Sequence, residues 1–115
     1  MHMLDLEYLK RNFFRIDDGR YVSDVMENGR FLNGECFSDR RQRAIIQAQF
    51  GDRLSEVEDI RLTVVPATDY EFDVEMLWHW KDGRLCRSSV SGEDLYGLIS
   101  QAVVLANVED FNPKP

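Results

Sequence analysis

Three carboxylates stand two residues apart in the segment YEFDVEMLWHW: Glu71, Asp73 and Glu75. If the segment is a pleated strand, alternation sends all three to one face, with neighbours about 7 Å apart. Such a row has three chemical uses. It can bind a divalent cation weakly, but no loop of calcium-binding spelling accompanies it, so we expect neither metal nor cofactor. It can be a solvated face whose charges pair across strands with Arg61 or Arg87. Or it can attract a cationic protein, because a field of one sign speeds association and weakens with salt. The spacing also resembles that of backbone phosphates and so admits a nucleic-acid mimic of the phage-inhibitor kind. Three charges are thin beside those of a duplex, however.

The same segment ends in Trp78, His79 and Trp80, and His79 is the only histidine away from the N-terminus. A two-residue loop at Asp82-Gly83 would place His79 opposite Cys86, a base beside a nucleophile. A register shift of one residue would separate them. No nucleophile elbow, phosphate-binding loop, zinc-protease helix or dinucleotide fingerprint occurs. The chain therefore reads as non-catalytic. A small hydrolase or isomerase using His79 with Cys86 or Asp73 is the alternative. Trp78 and Trp80 fall on the apolar side of the strand, and Trp80, at its end, is a candidate interface anchor. With two acids upstream, the candidate partner-binding set is Glu58, Asp59, Glu71, Asp73, Glu75, His79 and Trp80.

The elements that must position these residues are marked by punctuation. Asp18-Gly19, Asn28-Gly29 and Asp82-Gly83 each supply residues that tolerate positive φ, as tight hairpins require. Each pair is flanked by apolar or β-favouring residues: FFRI, YVSDVM, FLNGECF, YEFDVEMLWHW and LCRSSV. Asn33-Gly34 marks a bulge or a further turn. In Tyr70–Trp80, Phe72, Val74, Met76, Trp78 and Trp80 alternate with more polar residues, predicting a half-buried strand. IRLTVV precedes it and ends at Pro66.

Helical spacing is clearest over Glu93–Ala106, where Leu95, Leu98, Ile99, Ala102, Val103 and Ala106 share a face. Ser91 and Asp94 stand at capping-box spacing, and Asn107 is the expected stop. A second helix is expected from about Asp39 to Phe50, with Ser38 as cap, Gly51 as stop, and Ala44, Ile45, Ala48, Ile46 and Phe50 inward. A short first helix is expected over Asp5–Asn12. The predicted order is α, β, β, β, α, β, β, β, α. It implies an α+β, two-layer domain: a mostly antiparallel sheet of five to six strands with two to three helices packed on one face. One domain spans residues 1–115, with a C-terminal tail expected to fray from about residue 109.

Composition bounds the partners. Hydrophobic residues make up 43% and charged residues 30% of the 115, so a packed core rather than disorder is expected. The net charge of −7 argues against direct nucleic-acid binding and against docking on anionic membrane. The acid is concentrated: residues 55–80 carry seven acidic side chains and one basic, whereas residues 38–54 carry four arginines and two aspartates. Cys36 and Cys86 form no C-x-x-C pair, so zinc has no support and both thiols are expected reduced. Without an export signal or a spanning segment, the expected location is cytoplasmic. These features favour a small acidic protein-binding module, an inhibitor or immunity-type protein that occludes a basic partner protein. Beside the mimic and the small enzyme stands a third alternative, a secretion chaperone or oligomeric scaffold whose sheet edges pair with another chain, a homodimer included.

Overall fold

The computed structural model describes residue 7, residues 15–32 and residues 40–111, the side chains of 107–111 excepted. In chain order the elements are β1 (Arg15–Asp17), β2 (Arg20–Glu27), β3 (Arg30–Phe31), α1 (Arg40–Phe50), a 3-10 turn (Gly51–Glu56), β4 (Val57–Pro66), β5 (Phe72–Trp80), β6 (Leu85–Gly92) and α2 (Leu95–Phe111). The six strands form one antiparallel sheet in the order β1-β2-β4-β5-β6. β3 also pairs with β2. Because β4 holds one edge of β2, β1 and β3 lie end to end along the other. The domain is α+β, as its punctuation predicts. The expected Asp5–Asn12 helix lies outside the described residues apart from Glu7, which is helical. Asn33-Gly34, Cys36, Ser38 and Asp39 also lie outside them.

Two of the three predicted hairpins turn as expected. Asp18 and Gly19 have φ of 51° and 76°, and Asn28 and Gly29 have 55° and 78°. Two successive positive φ values are the signature of a type I′ turn, whose twist matches that of the flanking strands. At Gly29 an added Cβ would also stand 3.4 Å from the Lys81 side chain. Gly29→Ala is expected to lower stability by about 1–2 kcal/mol, and Gly29→Asn by less. Urea midpoints measure both, and equal midpoints for wild type and Gly29→Ala would rule out a conformational need at this site.

The third turn differs. Only Gly83 has a positive φ, 97°. Gly83 N–H donates to the Trp80 carbonyl (3.0 Å), and Trp80 N–H donates to the Arg84 carbonyl (2.9 Å). This is a three-residue loop, a tight turn followed by a glycine bulge. Asp82 selects it: one carboxylate oxygen accepts the Arg84 amide at 3.0 Å and the other accepts Arg84 Nε at 2.8 Å. The amide bond first, and then the guanidinium, hold the Asp82 carboxyl below its ordinary pKa. A carboxyl depressed in the folded state contributes stability above its unfolded pKa, and loses it as pH falls through the folded value. Asp82→Asn is therefore expected to flatten part of the fall in thermal midpoint below about pH 4.

The core lies between the sheet and the two helices. Phe72, Val74, Met76, Trp78 and Trp80 of β5 are all buried, and the intervening residues are not. From α2, Leu98, Ile99, Ala102, Val103 and Ala106 are buried, with Leu95 packed beside them. Both sets follow the predicted faces. Asp94 stands immediately before α2, and its carbonyl accepts Leu98 N–H at 2.8 Å. Ser91 belongs to β6 and bonds Asp73 rather than the helix. Asn107 does not end the helix, which continues to Phe111 into the tail expected to fray. A single asparagine costs a helix interior only a few tenths of a kcal/mol, about what Val or Phe costs.

On α1 the buried stripe is Gln42, Ile46 and Phe50, with Ile45 half-buried, whereas Ala44 and Ala48 are exposed. The helix is rotated from its apolar prediction because a buried polar pair anchors it: Ser23 Oγ of β2 donates to Gln42 Oε1 at 2.8 Å. Arg41 also lies over the ring of Tyr96, 3.9 Å from its centroid, which ties α1 to α2. Alanines on the solvent side carry little transfer energy to oppose that choice. Among the described residues no helix is long and apolar enough to cross a membrane.

Candidate functional site

Neither α1 nor α2 covers the second face of the sheet, and register fixes its side chains in four rows. Val65, Asp73 and Ser91 form the row nearest the β4–β5 turn. Val22, Thr63, Glu75 and Ser89 form the next, then Asp24, Arg61, Leu77 and Arg87, and finally Asp59, His79 and Leu85. Glu71 immediately precedes β5 and is exposed. Its backbone is held in place: Ala67 N–H donates to the Glu71 carbonyl at 2.9 Å, and Thr68 Oγ1 accepts Glu71 N–H at 3.0 Å. Glu71, Asp73 and Glu75 therefore lie in sequence along one line, as the alternation predicts, with Asp69 in the adjoining turn.

These carboxylates have few internal partners. Asp73 Oδ1 accepts the Ser91 hydroxyl at 2.5 Å. Glu75 Oε2 lies 3.8 Å from an Arg87 guanidinium nitrogen, a loose pair with Arg87 70% exposed. Arg61 does not join them. It is held by Asp24, whose Oδ1 accepts Arg61 Nε at 2.6 Å while Oδ2 meets Arg15. The clustering of two guanidiniums on Asp24 leaves the acidic row to Arg87 alone among the described residues. Asp24 is the residue that sequence reading overlooks. Its signal is a lone acid inside VSDVM, but a bulge between Asp24 and Met26 breaks the alternation that would have assigned it to the outer face.

Glu58 and Asp59 lie at the opposite end. A second bulge falls between Val57 and Asp59, which leaves Glu58 half-buried, with its carbonyl accepting Gly29 N–H at 2.8 Å. Asp59 Oδ1 accepts Asn28 N–H at 3.1 Å, and Asp59 Oδ2 lies 3.5 Å from His79 Nδ1. Here the face is concave, a groove of about 430 Å³ lined by Asp59, Arg61, Leu77, His79 and Leu85 among others. Six of the seven candidate residues, all but Trp80, thus fall into two acidic ends with the Asp24–Arg61 cluster and Leu77 between them.

Two expectations are corrected. Trp80 is not available as a surface anchor: it is 3% exposed, on the helix side, edge-on to Phe50 at 6.1 Å between ring centroids. The guanidiniums of Arg53 and Arg84 stand 5.0 and 5.3 Å from its ring centroid and close over it. The strand end is covered because the 3-10 turn after α1 carries Arg53 back across it. Nor does His79 face Cys86. The three-residue loop pairs His79 with Leu85 and Cys86 with Trp78, so Cys86 lies on the opposite, helix-covered face. His79 and Asp73 are six residues apart on one strand, about 20 Å, too far for proton transfer between them.

Among the described residues no group of three or more His, Cys, Asp and Glu side chains is arranged to hold a metal ion. No known protein family matches the chain, and neither a curated protein nor a solved structure is found to be similar to it.

Proposed function

We propose that the chain is a cytoplasmic binding protein of the inhibitor or immunity type, which occludes a basic surface of a partner protein with the acidic end of its outer sheet face. The observation that carries this is the row Glu71, Asp73 and Glu75, exposed or half-exposed and met among the described residues by a single loose guanidinium. Carboxylates fixed on a strand are pre-ordered, so a partner's lysines and arginines need not pay to organise them. Asp69 extends the row at the turn, and the serines and threonine beside it add hydrogen-bonding groups without adding charge.

The test uses wild type and Glu71→Lys/Asp73→Lys as baits for affinity capture from the native host, with a lysine-rich peptide as a defined probe. A protein retained by wild type and lost by the double variant, with circular dichroism unchanged, supports the proposal. Equal capture by both baits refutes it and leaves the row as a solvated face. Displacement of the captured protein by duplex DNA would favour nucleic-acid mimicry instead.

A further inference from the structure

We infer that two copies of this chain join along β6 to form one continuous antiparallel sheet about a two-fold axis through Ser88. The first observation is the edge itself. β6 runs for eight residues, pairs only with β5 among the described residues, and contains no proline, no bulge and one charge, Arg87. Edge strands that stay single are usually short, bulged or charged to prevent pairing.

Register is fixed by hydrogen-bond parity. Trp80 N–H bonds the Arg84 carbonyl, so by alternation Cys86, Ser88, Val90 and Gly92 bond β5. Leu85, Arg87, Ser89 and Ser91 then turn their amides and carbonyls to the free edge. A two-fold through Ser88 pairs Leu85 with the second copy's Ser91, and Arg87 with its Ser89. Every outward backbone group of these residues is satisfied, and both outer faces stay on one side.

The side chains are complementary in this register. Arg87 would face a serine whose neighbour on β5 is Glu75, so each guanidinium reaches across the small residue to the other copy's carboxylate, two strands or about 10 Å away between backbones. On the helix side, Ser88 Oγ donates to the Ala102 carbonyl at 2.8 Å, which sets the middle of α2 on its own side of the axis and beside it. Leu98 marks the β6 flank of α2, since its methyl carbon is 3.1 Å from a Cβ built at Gly92. Leu105, two turns further along that flank, is 40% exposed, and the axis brings it to its own copy.

Sedimentation equilibrium tests this. Wild type is expected to be dimeric, and Ser89→Pro monomeric, with its dissociation constant raised at least about 100-fold. Proline at Ser89 removes an outward amide while leaving the ladder to β5 intact. If that variant does not fold, Arg87→Glu serves, being an exposed change that sets like charges face to face. Arg87→Glu combined with Glu75→Arg should restore the dimer. A wild type that stays monomeric at the highest measurable concentration, a dimer unaffected by these changes, or a charge swap without rescue would overturn the inference.

Discussion

Trp78→Ala is expected to cost about 3–5 kcal/mol of folding stability, against a total of about 5–15 kcal/mol for an ordinary domain. Trp78 is 1% exposed, stands between Ile60 of β4 and Cys86 of β6, and faces the helix layer. Its removal would leave a cavity among fixed strands, which relax poorly around a missing ring. The next residue supplies the control. Leu77 on the outer face is half-exposed, and Leu77→Ala should cost roughly 1 kcal/mol or less. The Trp78 indole N–H has no acceptor among the described residues. Trp78→Phe therefore gives up no hydrogen bond, and its cost should stay well below that of alanine. Urea unfolding followed by far-ultraviolet circular dichroism compares the three variants. If Trp78→Ala loses no more than Leu77→Ala, β5 does not turn its tryptophans inward.

That inward face was legible because β5 obeys one rule along its whole length. Phe72 to Trp80 alternate without interruption, and a sheet covered on one side translates alternation directly into burial. The α2 stripe was legible for the same reason, since each of its apolar residues meets the core. Legibility failed where a local bond outweighs periodicity. Gln42 is polar yet buried, because Ser23 awaits its carbonyl oxygen, and no hydrophobic pattern anticipates a polar anchor between a helix and a strand. Asp24 was hidden by the bulge at Val25, which puts two successive apolar residues, Val25 and Met26, into the core. The third hairpin carries the same Asp-Gly spelling as the first. Asp82, however, binds the Arg84 amide instead of adopting a positive φ, and one extra loop residue moves Cys86 to the opposite face.

The candidate site depends on these local departures more than on the fold. Had Asp24 faced inward, Arg61 would have been free to pair across the strands with Glu75 or its neighbours. Asp24 turns outward in the regular β2–β4 register, where it stands opposite Arg61, and the bulge after it sends Val25 and Met26 both inward. The acidic row then keeps its field because a different carboxylate, Asp24, has taken the Arg61 guanidinium. Two basic side chains of α1 and the following turn are also held on aromatic rings: Arg41 on Tyr96 and Arg53 on Trp80. The charge separation in the sequence thus survives folding as a separation between elements, the acids of residues 55–80 on β4, β5 and the turns beside them and the arginines of residues 40–53 on α1 and the turn after it.

The size of the functional effect follows from that separation. Glu71→Lys with Asp73→Lys changes the local charge by four units while leaving Glu75 to Arg87. Charges at the rim of an interface act chiefly on the encounter rate, and steering by a field of one sign raises that rate by about 10–1,000-fold at low salt. The double variant is expected to slow association with a basic partner by about 10–100-fold at low ionic strength, and to change dissociation less. The difference should shrink with added salt, because the Debye length falls from about 10 Å at 0.1 M to about 3 Å at 1 M, shorter than the spacing within the row. A control with the same change in net charge elsewhere, Asp17→Lys/Asp52→Lys at exposed sites, should bind nearly as wild type does. Stopped-flow association rates across a salt series separate the outcomes. Equal losses in the two double variants would mean that overall charge steers the encounter, and the acidic row would then have no special part in it.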